Sequence, residues 1–329
     1  MIRSSFGLDW RKSSAHLLLL TRVLEPCTVG DFAKSDNWKE VLKEPPQQAI
    51  RRFTDEGMIV HANLGEHLGY KFKVNELKNF LKQRGLAVSG RKDDLVTRLV
   101  EADPDGMKEA VAGLNVLRCT EQGRAIAEQY LNSEKEKRAK AEQKALDTLM
   151  DRKFREASQL VAAFEAEQVF PRGLNIDWKN HNTSHDVEML TAIFSCKPSQ
   201  LSSLSGDHLE QVRLNASMRH LWGYSYGAYP LPPDFDSGLK IDNAVVANFL
   251  LSNAHFRAEI TRCLKSMAEF RGVPHVISVF NCNDGFVCGA CKKIVKEYSD
   301  PRQVPELPYE KCTSEGGCRC SITSSTRLV

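Results

Sequence analysis

The stretch from Lys71 to Ala102, KFKVNELKNFLKQRGLAVSGRKDDLVTRLVEA, constrains this chain more than any other, because apolar spacing, turn residues and charge all point to one small structure. Val74, Leu77, Phe80 and Leu81 recur at three- and four-residue intervals, which puts them on one face of a helix. Asn75 stands where a cap would start that helix, and Gly85 follows the apolar run, where a left-handed residue ends one. Leu95, Val96, Leu99 and Val100 form the stripe of a second helix, expected to begin near Arg91 after the turn signal Ser89-Gly90. Asp93 and Asp94 in its first turn complement the helix dipole. Leu86 and Val88 are the inward residues of the link, so the unit reads as helix, extended link, helix. Its outside is basic. From Lys71 to Val100 eight Lys and Arg stand against three acids, a net +5, whereas the whole chain of 329 residues carries only +3. A local excess of that kind suits phosphate binding, since each neutralised phosphate releases counterions.

The order Val74, Glu76-Leu77-Lys78, Leu81, Arg84-Gly85-Leu86, Ser89-Gly90-Arg91-Lys92, Leu95 and Arg98-Leu99 resembles the SAP domain, a two-helix module that binds DNA, commonly AT-rich duplex. The resemblance implies double-stranded DNA as the partner. It places Ser89, Gly90, Arg91 and Lys92 against the duplex, with Lys78, Lys82 and Arg98 as flanking phosphate contacts. Elementary chemistry agrees: Gly90 permits close backbone approach, amides at a helix start attract anions, and Arg91 with Lys92 supplies charge. Phosphate contacts position a protein without specifying bases, so no sequence preference is read from them.

Around this unit the chain reads as mainly α and multidomain. Leu17 to Leu24 is one helix, the Asn37 to Leu42 region a second, and Pro45-Pro46 opens a third whose buried face is Ile50 and Phe53 and which Gly57 ends before the strand-like Met58-Ile59-Val60. EGMIV, and much later Leu117 to Leu131, resemble the wing and closing helix of a winged-helix domain. On that reading, residues 1–131 are a winged-helix-like domain with the SAP-like unit, 71–102, inserted between the wing strands. From Asn132 to Gln168 there is no glycine or proline, and Leu146, Leu149, Met150, Phe154, Ala157, Val161 and Phe164 share one side at helical spacing. One long charged helix or linker is expected over 132–170, with a domain boundary at Pro171 and Gly173. Residues 171–272 read as a helical domain. It holds a helix capped by Thr183 or Ser184, another capped by Ser205 or Asp207 and ended by Gly223, and a long one opened by Asp242. Between the last two, Tyr224, Tyr226, Tyr229 and Pro230 to Pro233 make a stiff aromatic loop.

Residues 273–329 begin with the strand HVISVFN, 275–281, and hold six of the ten cysteines, between Cys282 and Cys320. In a reducing compartment such crowding reads as metal binding. Cys288-Gly-Ala-Cys291 aims two sulfurs at one point, and Cys312, Cys318 and Cys320 offer three more for two remaining tetrahedral positions, with Cys282 as a spare. The favoured set is Cys288, Cys291 and Cys312 with one of Cys318 or Cys320, holding zinc in a small α+β unit; an iron–sulfur cluster is the alternative occupant. An all-thiolate site is closed, and His275 and Asp284, the nearby acid–base candidates, sit in no catalytic motif, so the zinc is expected to be structural. Strand, CxxC, proline-bearing loop and terminal CRC also resemble the cysteine-rich ends of phage Mu F-like head-morphogenesis proteins. That resemblance implies a bacterial or phage-related source. It departs at Tyr309 and Lys311, where those sequences often carry a histidine.

No P-loop or dinucleotide fingerprint is present. The apolar run Leu17 to Leu20 is too short for a signal peptide, and no segment approaches the ~20 apolar residues of a membrane span, so a cytoplasmic, nucleic-acid-associated protein is expected. The competing readings are a nucleic-acid-processing enzyme tethered by the SAP-like unit, and a phage-structural or toxin-associated interaction protein that meets a protein partner through its long helix or C-terminal domain.

Overall fold

The computed structural model describes residues 9–32, 36–173, 175–223, 243–270, 273–282, 287–314 and 317–326. The loop from Tyr224 to Pro233, Asp242, Gly272 and Asp284 lie outside the described residues. The chain divides into two compact units, residues 1–138 and 139–329. It is mainly helical, with two small antiparallel sheets.

The first unit runs α1 (Ser14–Thr21), β1 (Cys27–Thr28), α2 (Val29–Phe32), α3 (Asp36–Leu42), α4 (Pro46–Asp55) and β2 (Ile59–His61). Pro46 occupies the first turn of α4, where a missing amide costs nothing, and Ala49, Ile50 and Phe53 are its buried face. Gly57, at φ +72°, turns the chain into β2. The chain then leaves the sheet as α5 (Leu64–Lys71), α6 (Val74–Gln83), α7 (Lys92–Ala102) and α8 (Pro104–Ala110), and returns as β3 (Val116–Cys119). β3 lies between β1 and β2, antiparallel to both. Ile59 pairs with Cys119 and His61 with Leu117, and the Ala62 amide donates to the Val116 carbonyl at 2.9 Å, so the inserted helices depart and return at neighbouring points.

The insertion has its own core. Leu68, Leu77, Leu81, Leu95, Leu99 and Met107 are wholly buried, with Leu86 and Val88 of the link packed against them. Val74, expected inside, is 38% exposed, because α6 starts at that residue and its first turn projects past the core. Two helices absent from the sequence reading complete the cluster: α5 contributes Leu68 and α8 contributes Met107. Two short amphipathic helices leave apolar surface on both sides, and α5 and α8 cover it.

After β3 the chain enters α9 (Glu121–Met150). The single helix expected from Asn132 to Gln168 is therefore two. α9 begins eleven residues earlier, absorbing the segment expected to close at Leu131, and stops at Met150 before α10 (Phe154–Ala166). The break is a left-handed turn at Arg152, φ +61°, in which the Lys153 amide reaches the Thr148 carbonyl and the Arg152 amide the Leu149 carbonyl. Glycine is the usual residue there. Arg152 is held instead by tertiary contacts, its guanidinium 4.0 Å from the centre of the Phe194 ring and 2.6 Å from Glu210.

The second unit continues with α11 (Ser184–Ser195), α12 (Gly206–Trp222) and α13 (Asn243–Glu269). Ser205 rather than Asp207 caps α12, accepting from the His208 amide at 3.2 Å. The expected boundary at Pro171 does not separate two cores. Leu146, Leu149, Ala157 and Val161 pack in one cluster with Met189, Leu190, Val212, Trp222 and Leu250, since the stripe on α9 and α10 is buried only by the helices that follow. The later part of α13 carries Phe256 and Cys263 against the C-terminal sheet, order β5-β4-β6, formed by β4 (His275–Asn281), β5 (Glu297–Tyr298) and β6 (Cys320–Thr326), with α14 (Gly289–Lys292) beside it. Among the described residues no helix is long and apolar enough to cross a membrane.

At Gly123 the start of α9 passes close to the backbone of Met58. A Cβ there would stand 2.0 Å from the Met58 carbonyl oxygen, which already accepts from the Thr120 amide. Gly123→Ala is expected to destabilise the protein by about 2 kcal/mol or more, as overpacking against immovable backbone does, measured as a lowered urea midpoint; an unchanged midpoint would refute the packing described.

Candidate nucleic-acid interface and cysteine centre

The first three inserted helices open with one device, an acid three residues past the cap that accepts from the cap amide. Glu66 takes the Asn63 amide at 2.7 Å, Glu76 that of Lys73 at 2.7 Å, and Asp94 that of Arg91 at 2.8 Å. Asn75 is thus inside α6 rather than its cap. Lys73 brings no capping oxygen; the Glu76 carboxylate satisfies the Lys73 amide, and the Glu76 amide donates to the Lys73 carbonyl at 3.0 Å. α6 ends at Gly85, φ +67°. Ahead of α7, Gly90 takes φ +122°, and a Cβ there would meet the Asp94 carboxylate at 2.9 Å, so only glycine fits without strain.

The seven basic and turn residues expected at the interface divide by what they touch. Lys78, Lys82 and Arg91 form no ion pair among the described residues; Lys78 is half-buried, whereas Lys82 and Arg91 are exposed, as are Ser89 and Gly90. Arg98 instead points back into the module, donating to the carbonyls of Ala87 and Ser89. Lys92 donates to the Gly69 carbonyl at the end of α5. Arg84 grips Asp103 at 2.5 Å and lies over the Phe80 ring. That hydrogen bond holds the Asp103 carboxyl below its ordinary range, with the Gly106 amide adding to the effect. Arg98 therefore holds the link, Lys92 ties the start of α7 to α5, and Arg84 ties the end of α6 to Asp103, while Lys82 and Arg91 stay exposed.

In the second unit, five cysteines converge in two overlapping groups, Cys288, Cys291 and Cys312, and Cys291, Cys318 and Cys320, close enough to hold a metal ion. Cys288 caps α14, so the CxxC turn aims its sulfur and that of Cys291 to one side. β6 starts at Cys320, opposite Asn281 of β4, and this pairing delivers Cys318 to the cluster. The Cys288 and Cys312 sulfurs are 3.9 Å apart, those of Cys291 and Cys318 3.8 Å. Two thiolates bound at ~2.3 Å to one tetrahedral zinc stand ~3.8 Å apart, so the donor set fits that ion. Amides prepare the sulfurs for it. Those of Thr313 and Cys291 bring the Cys288 thiol down to about 6. The Cys320 thiol and the amides of Cys320 and Tyr309 bring Cys318 down to about 5. In the protein without metal, burial pushes Cys291 and Cys312 up, and Cys320, which donates to Cys318, rises with them. Cys282 is exposed and belongs to neither group. His275 is no part of the centre: it sits at the opposite end of β4, its Nε2 bonded with Ser266 and its Nδ1 with the Val273 carbonyl.

Comparison with known families matches residues 71–104 to the SAP domain. This stretch is a SAP domain. The family is one of nucleic-acid binding, and the match covers α6, the link and α7. No curated protein and no solved structure matches the chain. The resemblance of the C-terminal cysteines to phage Mu F-like proteins finds no support in these comparisons.

The SAP domain thus carries two kinds of arginine, and substitution separates them. Arg98→Ala, which removes two bonds to link carbonyls, is expected to cost about 1 kcal/mol of stability, whereas Arg91→Ala leaves stability within error. Urea unfolding of both variants checks this; equal effects would erase the distinction.

Proposed function

We propose that the protein binds double-stranded DNA through its SAP domain and that its C-terminal cysteines hold one structural zinc ion. The observation that carries the DNA reading is the open start of α7. There Gly90 carries no side chain, no side-chain cap covers the start of an eleven-residue helix, and Arg91 stands exposed with Lys82 and the half-buried Lys78 on the preceding helix. This is a phosphate-binding arrangement built from amide dipoles and unpaired cations. Arg98 acts by holding the link and Lys92 by tying α7 to α5, a refinement of the contact role first expected of them. We read the host of the insertion, with its order of helix, strand, helices and two antiparallel strands, as a winged-helix-like domain carrying the SAP domain in its wing, which accords with the same reading.

For the metal centre, Cys288, Cys291, Cys312 and Cys318 are the ligands, because Cys318 receives the Tyr309 amide and faces Cys291, while Cys320 belongs to the β6 ladder. A bound zinc would tie α14, the Cys312 loop and the start of β6 together, with no open coordination position for chemistry.

Two experiments test these statements. Duplex affinity should fall with salt, and Lys82→Ala with Arg91→Ala should weaken binding and reduce the slope of log K against log salt by about 1 to 2, with thermal stability and zinc content unchanged; an unaltered isotherm would sink the interface. Elemental analysis should give one zinc per chain in the wild type and in Cys320→Ser, and loss of it in Cys318→Ser; retention by Cys318→Ser and loss by Cys320→Ser would invert the ligand assignment.

A further inference from the structure

The second unit contains a polar cluster that neither reading uses. Asp186, in the first turn of α11, accepts from Ser158 Oγ at 2.5 Å, from His181 Nε2 at 2.8 Å and from His220 Nε2 at 3.0 Å. Burial pushes its carboxyl up, but the donors outweigh burial and hold it well below the usual carboxylate range, so it is ionised. An ionised carboxylate only accepts. Both imidazoles must therefore carry their proton on Nε2, and in the neutral ring Nδ1 of His181 is left as an acceptor. A carboxylate that fixes a histidine's tautomer in this way prepares the other nitrogen to share a proton with a ligand.

His181 lines a cavity of about 560 Å³ between α10 and residues 178–183. Arg155, Gln159, Trp178, Lys179 and Thr183 line it too, and among the described residues no carboxylate does. Arg155 is steadied by a 3.3 Å hydrogen bond to Thr183 Oγ1, and the Trp178 ring lies 5.0 Å from that of His181. Tethering of α10, α11 and α12 accounts for Asp186 and its donors. It does not account for two permanent cations and a tautomer-fixed histidine around one cavity with no carboxylate among its described lining residues. The volume falls within the range of small-molecule sites and exceeds what an inorganic anion fills.

We propose that this cavity binds the phosphate of a nucleotide or of a nucleic-acid strand end, with Arg155 and Lys179 as its cationic contacts and His181 Nδ1 as the proton-sharing one. The site lies on residues outside the SAP domain, so it stands or falls separately from the duplex-binding reading.

The test uses the full-length protein with isotopically labelled histidine, the His181 signal being assigned from a His181→Gln sample. Inorganic phosphate, adenosine 5′-monophosphate, and a short single strand with and without a 5′-phosphate are titrated in turn. The His181 resonances should shift saturably with at least one phosphate monoester. The Arg155→Ala, Lys179→Ala double variant should weaken that binding by about tenfold or more, as loss of charge-assisted hydrogen bonds does, at an unchanged unfolding midpoint. Tighter binding of the mononucleotide identifies a free nucleotide as the ligand. Tighter binding of the phosphorylated strand than of the unphosphorylated one identifies a strand end. Absence of any shift at His181, a response to inorganic phosphate alone, or equal affinity in the double variant would overturn the proposal.

Discussion

The antiparallel pairing of β2 with β3 is the constraint on which the first unit rests. Ile59 to His61 and Leu117 to Cys119 are far apart in sequence, and their ladder closes beside Ala62 and Val116, so a whole helical module can leave a hairpin without opening it. The module is also tied to its host. Glu66 on α5 pairs with Arg118 of β3 at 3.2 Å, and the Tyr70 hydroxyl donates to Asp31 beside β1 at 2.7 Å. On the other side of the ladder, the Met58 carbonyl receives the Thr120 amide and leaves no room for a side chain at position 123. The start of α9 is therefore fixed by the same pairing that holds the insertion.

Charge in the SAP domain is divided between side chains that bond within the module and side chains that stay at its surface. A row of positive side chains would repel itself in a module this small were it not for partners. Arg84 has Asp103, while Arg98 and Lys92 spend their protons on backbone carbonyls at the ends of the link and of α5. What remains unpaired, Lys78, Lys82 and Arg91, is carried by the surface that α6 and the start of α7 present. Internal bonding and exposed charge thus fall to different cations, although all of them contribute equally to the net charge.

The second unit uses two further devices to order polar groups in a mostly apolar setting. At the cysteine centre, the sheet β5-β4-β6 and α14 bring sulfurs from three segments within bonding range of one ion, and backbone amides lower two of the thiols. At Asp186, three donors on α10, α12 and the loop before α11 satisfy one ionised carboxylate and hold two imidazoles in a single tautomer. Both arrangements draw on residues distant in sequence. Only the CxxC of the first had a local signature.

The sequence by itself determined the local structures whose signals are short-range. These are the α6–link–α7 pattern with its glycines at 85 and 90, the proline-started α4, the strand over 275–281 and the crowding of cysteines, because periodicity, turn chemistry and spacing act within a few residues. Tertiary structure decided the rest. It placed an arginine in a left-handed turn at 152 because Phe194 and Glu210 hold it there, and it made one core from both sides of Pro171 because a helix stripe is buried only by what packs on it. It also assigned Arg98 to the link and Arg91 to the surface, and it gathered His181, Asp186 and His220 around one carboxylate. Residue type fixes which charges exist, but only the packed chain decides which of them find a partner.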